Sequence, residues 1–523
     1  MKVVSPAQMK EMDERTMREC GVPGEMLMER AGGAVADAVC ELVDLGRISR
    51  PSVFVAAGKG NNAGDAFVAA RVLAARGIRV DVWLAAEAGS VGGDARTHMD
   101  RMLAAGVRMR EMHRERDWSC TTAPDAGWNV VVDGLLGTGL RGGVHGTMAG
   151  AIAMINRLSE RCLVVAIDVP SGLDADTGVV SGDAVLADLT VTMGFAKRGM
   201  LTPAGKEHTG SLMVADIGIP SAFADSISGG VELIVFEEVR QLFKRRRRDA
   251  HKGSFGHVLV VGGSAGYSGA AAMAAQGALR SGAGLVSVIT PRSVAAQVAA
   301  NAQEAMVHPA KETEAGTLSS DFMVASGRGR SLEGFDAVLV GPGMGTHDEC
   351  RKVVVDLLRR CRVPLVLDAD ALNVQKKSDN LIPAANCPVV MTPHAGELAR
   401  FMADETRSVE ANKVEAALGA AAVTSAIVVL KGAGTVVAGN GRTPHVNMTG
   451  NPGMATGGTG DVLAGIIVGL LGQGFAPFEA ARAAVYIHGR AGDVAAWRLS
   501  QAGMLAGDVI REIPFVMRGL CGR

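Results

Sequence analysis

The stretch VFVAAGKGNNAGDAFVAARVLAARGIRVDVWL, from Val53 to Leu84, decides the fold of this chain. It opens and closes with short β-rich runs, VFVAA and VDVWL, which are typical of buried strands. Between them, Asp65–Gly77 has helical spacing and ends on a glycine, a common signal for the end of a helix. A strand, a helix and a second strand in this order predict parallel strands covered by helices.

The same alternation continues along the chain in two series. The first series goes on with VVVDG at Val130–Gly134 and LVVAID at Leu163–Asp168, and it loosens at Ile217–Gly230. The second series comprises HVLVVGG at His257–Gly263, AVLVGPG at Ala337–Gly343, PLVLDAD at Pro364–Asp370, PVVMTPH at Pro388–His394 and AIVVLKG at Ala426–Gly432. We therefore predict two α/β domains, with a boundary near residues 220–235 and mostly parallel sheets.

Composition excludes several classes of protein. Hydrophobic residues make up 48% of the 523 residues and the net charge is −1, so a large core is expected and nothing favours nucleic acid as a partner. We interpret the basic run Lys244–Arg248 as a solvated linker or helix end, with an anion contact as the less favoured alternative. The eight cysteines include no CxxC pair, and the N-terminus lacks the apolar segment of a secretory signal. No apolar run reaches the roughly 20 residues of a membrane span, so we expect a soluble, cytoplasmic protein without a membrane partner.

Polar residues follow three of the predicted strands in the first half. GKGNNAGD, Gly58–Asp65, offers glycines for close backbone approach and amides for a ligand, while Asp65 itself suits a helix cap or a ligand hydroxyl. Asp133 ends one later strand, and Asp168 with Ser171 and Asp174 follows another. In doubly wound sheets ligands bind at the carboxyl ends of strands, and carboxylate and hydroxyl oxygens suit a hard cation. Each aspartate alone is equally well explained as a loop cap, but together they favour one crevice if the strands are neighbours.

A second glycine-rich stretch, TGNPGMATGGTGD at Thr449–Asp461, precedes an apolar helical run. Glycines ahead of a helix let backbone N–H groups approach an anion, which predicts a phosphate site. The lysine and hydroxyl of a P-loop are missing. Asp461 is then either a base for a hydroxyl that attacks a phosphoryl group or the N-cap of the helix, and this stretch alone leaves both readings open.

Charged residues also follow strands in the second half. Asp368 and Asp370 follow one predicted strand, His394 and Glu397 the next, and Lys431 a third. Each has a simple alternative explanation as a cap, a packing residue or a solvated side chain. Their clustering at strand ends favours one shared site.

The motifs GKGNNAGD, VDGLLGTGL and IDVPSGLDADTG make residues 1–220 resemble the N-terminal domain of the YjeF family, the NAD(P)H-hydrate epimerases. The resemblance implies a Rossmann-like doubly wound sheet that inverts C6 of the hydrated nicotinamide, converting the R hydrate to the S form. It implies that Asp168 acts as acid or base, and that Asn62, Asp133 and Ser171 coordinate potassium. It assigns substrate binding to Asp168 and to Asn61, Asn62, Ala63, Gly64, Asp65, Gly137, Thr138, Gly139, Leu140, Arg141, Gly142 and Gly143. Ala63 stands where other members carry glycine, which removes some backbone freedom.

The motifs GPGMG, LDADALN, MTPHAGE, LKGAGT and TGNPGMATGGTGD make residues 235–515 similar to the C-terminal YjeF domain. That resemblance implies a ribokinase-like α/β fold that dehydrates the S hydrate with a nucleotide as phosphoryl donor. It implies that the hydrate contacts Ala270, Gly345, His394 and Asp461. It implies that the nucleotide contacts Lys431, Gly432, Ala433, Gly434, Thr435 and Gly460. Asp461 would take the proton of the 6-hydroxyl as that hydroxyl attacks the donor, and the N–H groups of Gly457–Gly460 would hold the developing charge.

Together the two resemblances imply a bifunctional repair enzyme for NADHX and NADPHX that forms a homo-oligomer. Phosphoryl transfer implies Mg²⁺. Prokaryotic members with both domains in one chain generally use ADP, so ADP is the expected donor and ATP the alternative. Two other functions stay open: a small-molecule kinase whose product is a stable phosphoester, and a front domain that serves only as a binding or scaffold module, as in certain mRNA-decapping proteins.

Overall fold

The structure is a computed structural model that describes residues 1–44, 50–119, 127–140, 142–225, 227, 230–322, 332–375, 377–379 and 381–522. The chain divides into two compact units, one of residues 2–230 and one of residues 231–523 together with Met1. Each unit has its own sheet and its own hydrophobic core. Within the described parts of the chain, every helix is too short or too polar to span a lipid bilayer.

The first unit is built on a seven-stranded sheet in which every pair of neighbours is parallel. In chain order the strands of the unit are β1 (Val3–Val4), β2 (Ser52–Ala57), β3 (Arg79–Leu84), β4 (Arg108–Glu111), β5 (Val130–Gly134), β6 (Leu163–Ile167), β7 (Leu189–Met193), β8 (Ala196–Lys197) and β9 (Ser211–Ala215). Its helices are α1 (Pro6–Cys20), α2 (Gly24–Asp44), α3 (Asn61–Ala75), α4 (Gly93–Ala104), α5 (Thr147–Leu158), α6 (Pro203–Thr209) and α7 (Ala222–Asp225). The spatial order is β4-β3-β2-β5-β6-β7-β9, and β1 pairs separately with β8.

Strand β2 shows why these strands read as unbroken apolar runs. All six of its residues are buried. Val53, Val55 and Ala57 pack into one core, while Phe54 and Ala56 pack into a second core on the opposite face. A strand covered on both faces needs apolar side chains at every position, so the period-2 alternation of a half-exposed strand is absent.

The second unit is built on a ten-stranded sheet in the order β10-β19-β18-β17-β16-β15-β14-β11-β12-β13. Its strands are β10 (Glu232–Leu233), β11 (His257–Val261), β12 (Leu285–Pro291), β13 (Met306–Ala310), β14 (Ala337–Val340), β15 (Leu365–Leu367), β16 (Val389–Met391), β17 (Ile427–Leu430), β18 (Thr435–Ala438) and β19 (His445–Asn447). Its helices are α8 (Phe236–Leu242), α9 (Ser268–Arg280), α10 (Ala295–Asn301), α11 (Asp348–Arg360), α12 (Asp370–Asn373), α13 (Ala395–Met402), α14 (Thr406–Ala411), α15 (Lys413–Thr424), α16 (Thr459–Gly472), α17 (Pro477–Arg498) and α18 (Ala506–Cys521). The pairs β17–β18 and β18–β19 are antiparallel, and the other pairs are parallel.

Helices α9 and α16 pack backbone to backbone because small residues line their contact. A Cβ added at Gly465 of α16 would lie 2.1 Å from the carbonyl oxygen of Ala274 on α9. A Cβ at Gly277 of α9 would lie 2.6 Å from the carbonyl oxygen of Val462. All residues of α16 from Val462 to Gly472 are buried, so this close packing fixes the direction in which the helix N-terminus points.

The predicted fold class is confirmed, and every strand predicted in either half is present. Each begins within one residue of its predicted start and ends at most three residues before its predicted end. The prediction did not include the edge strands β4, β9, β10 and β13, the interior strands β7 and β12, or the short pair β1 and β8. It also did not include β18 and β19, which turn back antiparallel to β17. The basic run Lys244–Arg248 is an exposed connection after α8, as expected.

Candidate active sites

The three polar strand ends of the first unit lie side by side. Strand β5 pairs with β2 on one side and with β6 on the other, so the residues after all three strands meet at one edge of the sheet. The loop after β2 comes very close to the loop after β5, since a Cβ at Gly58 would lie 2.1 Å from the carbonyl oxygen of Leu135. The crevice expected from the sequence is therefore formed by this unit's own strands.

Asn62, Asp133 and Ser171 belong to one buried polar network. The carboxylate of Asp133 accepts hydrogen bonds from the Ser171 hydroxyl at 2.6 Å and from the Ser171 backbone N–H at 2.8 Å. The Asn62 amide donates to the carbonyl oxygen of Leu136 at 3.0 Å, and the Leu136 N–H donates to the Ser171 hydroxyl at 2.9 Å. These contacts bring carboxylate, amide, hydroxyl and carbonyl groups from three loops into one place.

Asp133 is fully buried and has no ion-pair partner among the described residues. Burial raises its pKa to about 6, although the hydrogen bonds from Ser171 and Leu135 act in the opposite direction. A buried carboxylate surrounded by neutral oxygen donors suits a weakly held hard cation, which would supply the missing positive charge. The donor set therefore fits the potassium ion that the family resemblance implies.

Asp168 lies after β6 and faces a buried lysine that sequence reasoning missed. Its backbone has φ = 62°, a conformation that non-glycine residues rarely adopt. Its Oδ1 accepts hydrogen bonds from the Met193 N–H at 3.1 Å, the Thr192 hydroxyl at 3.2 Å and the Lys197 ammonium. Lys197 is fully buried, whereas the Asp168 side chain keeps 15% of its surface exposed. Asp168 is thus held rigidly with its remaining oxygen available.

Two further carboxyl groups interact with Asp168. Asp65 lies on the first turns of α3 and Asp13 lies on α1, and both are partly buried. Burial, with help from the charge of Asp168, raises the pKa of Asp65 well above its ordinary value. Burial also raises the pKa of Asp13 to about 6 against the opposing charge of Lys197. Asp13 was missed, although helical spacing places it on the same face as the buried Met9 and Thr16.

The glycine-rich loop of the first unit differs from the sequence reading in two respects. Helix α3 begins at Asn61 with Gly60 as its N-cap, so the suggestion that Asp65 caps this helix is wrong. Ala63 is fully buried in helical conformation, which explains why alanine is tolerated there. Gly64 has a packing reason instead, since a Cβ there would lie 2.3 Å from the sulfur of Met28.

The remaining candidate site residues of the first half lie partly in the loop after β5 and partly in a separate local turn. The loop after β5 runs past Asn62, because a Cβ at Gly137 would lie 3.4 Å from the Asn62 side-chain amide carbon. Thr138, Gly139, Leu140, Gly142 and Gly143 continue that loop, while Arg141 lies outside the described residues. Asp174 closes a local turn, in which hydrogen bonds from Thr177 lower its pKa, so the cap reading holds for this residue.

In the second unit, charged residues gather where β14, β15, β16 and β17 end side by side. The Lys431 ammonium donates to the Asp368 carboxylate at 2.9 Å and lies 3.8 Å from the Glu397 carboxylate. Asp368 is buried and also accepts from the Thr392 hydroxyl at 2.6 Å. Burial alone would lower the pKa of Lys431, but Asp368 and Glu397 outweigh it and raise that pKa, so the ammonium stays charged.

Asp461 lies on the first turn of α16, close to this cluster. The helix begins at Thr459, and its N-cap is Gly458 with φ = 95°, so the reading of Asp461 as the N-cap is wrong. Among the described residues its carboxylate has no hydrogen-bond partner. Burial and then the charge of Asp368 raise its pKa to about 7, although Lys431 lowers it. A partly buried carboxyl that titrates near neutrality is well matched to general-base work.

Neighbouring loops place the other second-half candidates around the same point. His394 caps α13 by accepting from the Gly396 N–H at 3.0 Å, and Glu397 completes the capping box at the His394 N–H. The imidazole of His394 nevertheless remains 57% exposed and open to a ligand. Gly345, with φ = 83°, donates to the Asp370 carboxylate at 2.9 Å.

Two further contacts complete this cluster. A Cβ at Gly460 would lie 3.3 Å from the Lys431 ammonium, which places the start of α16 beside the Lys431–Thr435 turn. A Cβ at Gly343 would lie 2.9 Å from the Ala270 side chain, so α9 also approaches the strand-end loops. The sequence-predicted residues of the second half are thus brought together.

Two residues of α17 that sequence reasoning missed contact the Thr449–Asp461 loop. The buried carboxylate of Asp493 accepts from the Gly450 N–H and from the Asn451 amide, both at 3.1 Å. Burial lowers the pKa of His488 to about 4, so its imidazole is neutral where it faces the Thr459 backbone. No local sequence signal marks either residue, because both lie within an ordinary helical pattern.

Metal ligands in the second unit are sparse. Within the described residues no group of three or more His, Cys, Asp or Glu side chains is arranged to hold a metal ion. Magnesium commonly uses only one or two carboxylates together with substrate phosphates and water. Asp370 forms no ion pair within the described part of the chain, so its carboxylate fits that limited role.

Comparison with known proteins covers both units. The family described as "YjeF-related protein N-terminus" matches residues 24–199, and the family described as "NAD(P)H-hydrate dehydratase" matches residues 258–515. The bifunctional NAD(P)H-hydrate repair enzyme Nnr of Moorella thermoacetica is 39% identical over 99% of this chain and 97% of its own length. The enzyme of the same name from Escherichia coli K12 is 36% identical over 93% of this chain and 88% of its own.

A solved structure resembles the second unit. The ADP/ATP-dependent NAD(P)H-hydrate dehydratase of Bacillus subtilis, co-crystallised with ATP and Mg²⁺, is 30% identical and covers 56% of this chain and 99% of that chain, with a TM-score of 0.50. The relatives from Moorella thermoacetica and Escherichia coli match this chain across both family regions. The chain therefore belongs to the family of bifunctional NAD(P)H-hydrate repair enzymes.

Proposed function

We propose that this protein repairs hydrated nicotinamide cofactors in two steps. Residues 1–220 epimerise the R and S forms of NADHX and NADPHX, and residues 235–515 dehydrate the S form to NAD(P)H. ADP is consumed in the second step and gives AMP and phosphate. The observation that carries the proposal is Asp461, a carboxyl at the start of a glycine-rich helix beside Lys431 that no described residue contacts by a hydrogen bond.

The dehydratase step needs a base and an anion site in the same place. Ionised Asp461 accepts the proton of the 6-hydroxyl while that oxygen attacks the terminal phosphate of the donor. The N–H groups of Gly457–Gly460 have no intrahelical acceptors, and they lie where negative charge develops. Phosphorylation turns a poor leaving group into a good one. Phosphate then leaves C6 with its bonding electron pair, C5 releases a proton, and the electrons of the C5–H bond form the C5–C6 double bond.

The donor binds at the Lys431–Thr435 turn and Gly460. The Lys431 ammonium is close enough to this helix start to stabilise a phosphate, and Asp368 with Glu397 keeps it charged and oriented. Ala270, Gly345 and His394 contact the hydrate. Magnesium, when bound, neutralises phosphate charge, and Asp370 with the nucleotide's own phosphates would hold it. ADP is preferred to ATP as the expected donor because prokaryotic members with both domains in one chain generally use ADP.

The epimerase step uses the crevice between β2, β5 and β6. Asp168, with one oxygen bound and one available, contacts the hydrated ring as acid or base. The loops Asn61–Asp65 and Gly137–Gly143 hold the dinucleotide. Potassium, when bound to Asn62, Asp133 and Ser171, would neutralise the buried Asp133 and fix these loops relative to one another.

Two further expectations complete the proposal. A homo-oligomeric state follows from the resemblance to other members of the family. A cytoplasmic location stays a prediction from the cysteine pattern.

The nature of the phosphorylated product tests the dehydratase assignment. Wild-type protein is incubated with the S hydrate of NADH, Mg²⁺ and ADP, and the products are followed by phosphorus NMR. We expect AMP, free phosphate and NADH in equal amounts, with no lasting phosphoester. Asp461→Asn should give none of them. Asp348→Asn is the matched control, since it removes an exposed acid from the first turn of another helix.

An ordinary small-molecule kinase would give a different result in the same experiment. A phosphoester that accumulates without release of phosphate would overturn the dehydratase assignment.

A further inference from the structure

Among the described residues, the cation that pairs with the carboxyl cluster of the first unit is Lys197, and its side chain is completely enclosed. The ammonium of Lys197 donates to the Thr192 hydroxyl at 3.0 Å, to the Met193 carbonyl at 3.0 Å and to the Asp168 carboxylate. These three acceptors use all three ammonium protons. Lys197 is fully buried, so neither substrate nor solvent can replace Asp168 as its partner.

Asp168 is bound through one oxygen only. All three donors to its carboxylate, from Thr192, Met193 and Lys197, contact Oδ1. No donor to Oδ2 is present among the described residues, and the side chain is partly exposed. The arrangement pairs one oxygen of Asp168 with a cation and leaves the other oxygen positioned to accept a proton.

The pairing of β1 with β8 explains how α1 joins the cluster. Val4 lies opposite Lys197 in that pair, and α1 begins two residues later. Met9 of α1 packs by the turn before Lys197, where a Cβ at Gly194 would lie 3.1 Å from its terminal methyl. Asp13 follows one helical turn after Met9 and therefore faces the same cluster.

Charge balance within the cluster forces one carboxyl to keep a proton. Asp168 contacts the ammonium of Lys197, and Asp13 and Asp65 also interact with its charge, while Glu14 adds a further negative charge near Asp13. Neither Asp13 nor Asp65 has a hydrogen bond or an ion pair to its carboxyl within the described ranges. Like charges at close range cannot all ionise in a partly buried site, so the proton stays on a carboxyl without a cation. Between the two, Asp65 lies on the loop that would hold the substrate, and burial raises its pKa well above its ordinary value.

We propose that Asp168 and Asp65 form the base and acid of the epimerase, and that Lys197 is the positioning residue that keeps Asp168 ionised and leaves the proton on Asp65. This assignment rests on the proposed function of the first domain.

The pair suits ring opening of a hemiaminal, the functional group at C6 of the hydrate. Asp168 takes the proton from the C6 hydroxyl, the O–H electrons form a carbonyl, and the C6–N1 bond breaks. The electron pair of that bond goes to N1, which takes the proton from Asp65. Rotation about C5–C6 then presents the other face of the aldehyde. N1 attacks it, returns its proton to Asp65, and the oxygen takes back the proton from Asp168. No external reactant is consumed.

The test is the pH dependence of epimerisation in the full chain. Mixed hydrates of NADH are supplied with ADP and Mg²⁺, so that the S form is consumed first and the slower phase reports conversion of R to S. The values of kcat/KM for that phase are measured across pH for wild type, Lys197→Met and Asp65→Asn. Lys206→Met is the matched control, since it removes a partly buried lysine elsewhere in the same unit.

We expect a bell-shaped wild-type profile. Lys197→Met should move the acidic limb upward by about one pH unit or more, with activity recovering toward alkaline pH, because Asp168 loses its cation. Asp65→Asn should lower kcat/KM by about 100-fold or more and abolish the alkaline limb. Lys206→Met should leave both limbs in place.

If Lys197→Met and Asp65→Asn lower kcat/KM but leave both limbs of the pH profile in place, Lys197 and Asp65 have a merely structural role. That result would overturn the inference. Circular dichroism establishes whether each variant folds. If Lys197→Met does not fold, the inference is tested by Asp65→Asn alone. It then requires that the wild-type pH profile has an alkaline limb and that Asp65→Asn loses this limb. Failure of wild type itself to convert R to S would instead contradict the proposed function.

Discussion

At the scale of single residues, the second site holds Asp461 in surroundings that disfavour its charged form. Asp461 has a pKa of about 7 because burial and Asp368 disfavour its charged form. A base with this pKa is ionised only above neutrality. We therefore predict that kcat of the dehydratase falls as pH decreases through about 7. A pH profile with saturating S hydrate and ADP measures this, and a rate that stays constant down to pH 5 or so would contradict it.

The raised pKa of Asp461 also makes the stability of the folded chain depend on pH. The pKa of Asp461 is about 7 in the folded chain against 3.8 ordinarily, so stability decreases as pH rises from the lower to the higher value. Asp461→Asn removes the ionised group, and we expect it to raise the free energy of unfolding at alkaline pH by about 1–3 kcal/mol. At acidic pH the difference should vanish. Denaturant unfolding of wild type and Asp461→Asn at both pH values measures this difference. Equal stability of the two proteins at alkaline pH would contradict a raised pKa of Asp461.

Asp133 gives a corresponding prediction for the first site. Potassium should raise the thermal unfolding temperature of the first unit relative to sodium at equal ionic strength, since it binds the folded state through Asn62, Asp133 and Ser171. Asp133→Asn should lose that difference. Asp174→Asn, which removes a turn aspartate outside the network, should keep it. A potassium effect of the same size in Asp133→Asn would place the ion elsewhere.

The residues also show what a sequence can reveal about a site. Asp168 and Asp133 were identifiable because they end apolar strands. The cap assigned to Asp461 was wrong because glycine at 458, with its positive φ, takes the N-cap position. Lys197 and Asp13 were missed because their roles depend on the β1–β8 pairing between distant segments, which leaves no local pattern.

At the scale of secondary-structure elements, the contact between α9 and α16 sets the direction of the phosphate-binding helix. A Cβ at Gly465 would collide with the Ala274 carbonyl. Gly465→Ala should therefore destabilise the second unit by about 1–3 kcal/mol and lower dehydratase activity as the helix shifts. Gly419→Ala is the control, because Gly419 is exposed on α15 with open space around it. It should stabilise the unit by about 0.5–1 kcal/mol. Losses of equal size in both variants would contradict this packing account.

Elements differed in how well the sequence predicted them. Most buried parallel strands were clear because each is a short apolar run bounded by glycine, proline or aspartate. The buried strands β7 and β12 were not predicted, and serine or threonine interrupts the apolar run of each. The antiparallel strands β18 and β19 were missed because their direction depends on pairing with β17, and periodicity along one segment carries no information about pairing.

At the scale of the whole molecule, each proposed site lies within one unit. The residues of the epimerase site all belong to residues 2–230, and those of the dehydratase site to residues 231–523. We predict that residues 231–523 alone convert only the S hydrate, and that adding residues 1–230 as a separate chain restores conversion of R. Chromatographic separation of the remaining hydrates measures this. Consumption of both forms by residues 231–523 alone would contradict the division of labour.

The most direct test of the account is recovery of NADH absorbance from a mixture of R and S hydrates with Mg²⁺ and either ADP or ATP. Wild type, Asp168→Ala and Asp461→Ala are compared. We predict that wild type restores nearly all of the NADH with ADP, that Asp168→Ala leaves the R fraction behind, and that Asp461→Ala restores none. No recovery by wild type with either nucleotide would contradict the central claim that the second domain is a dehydratase.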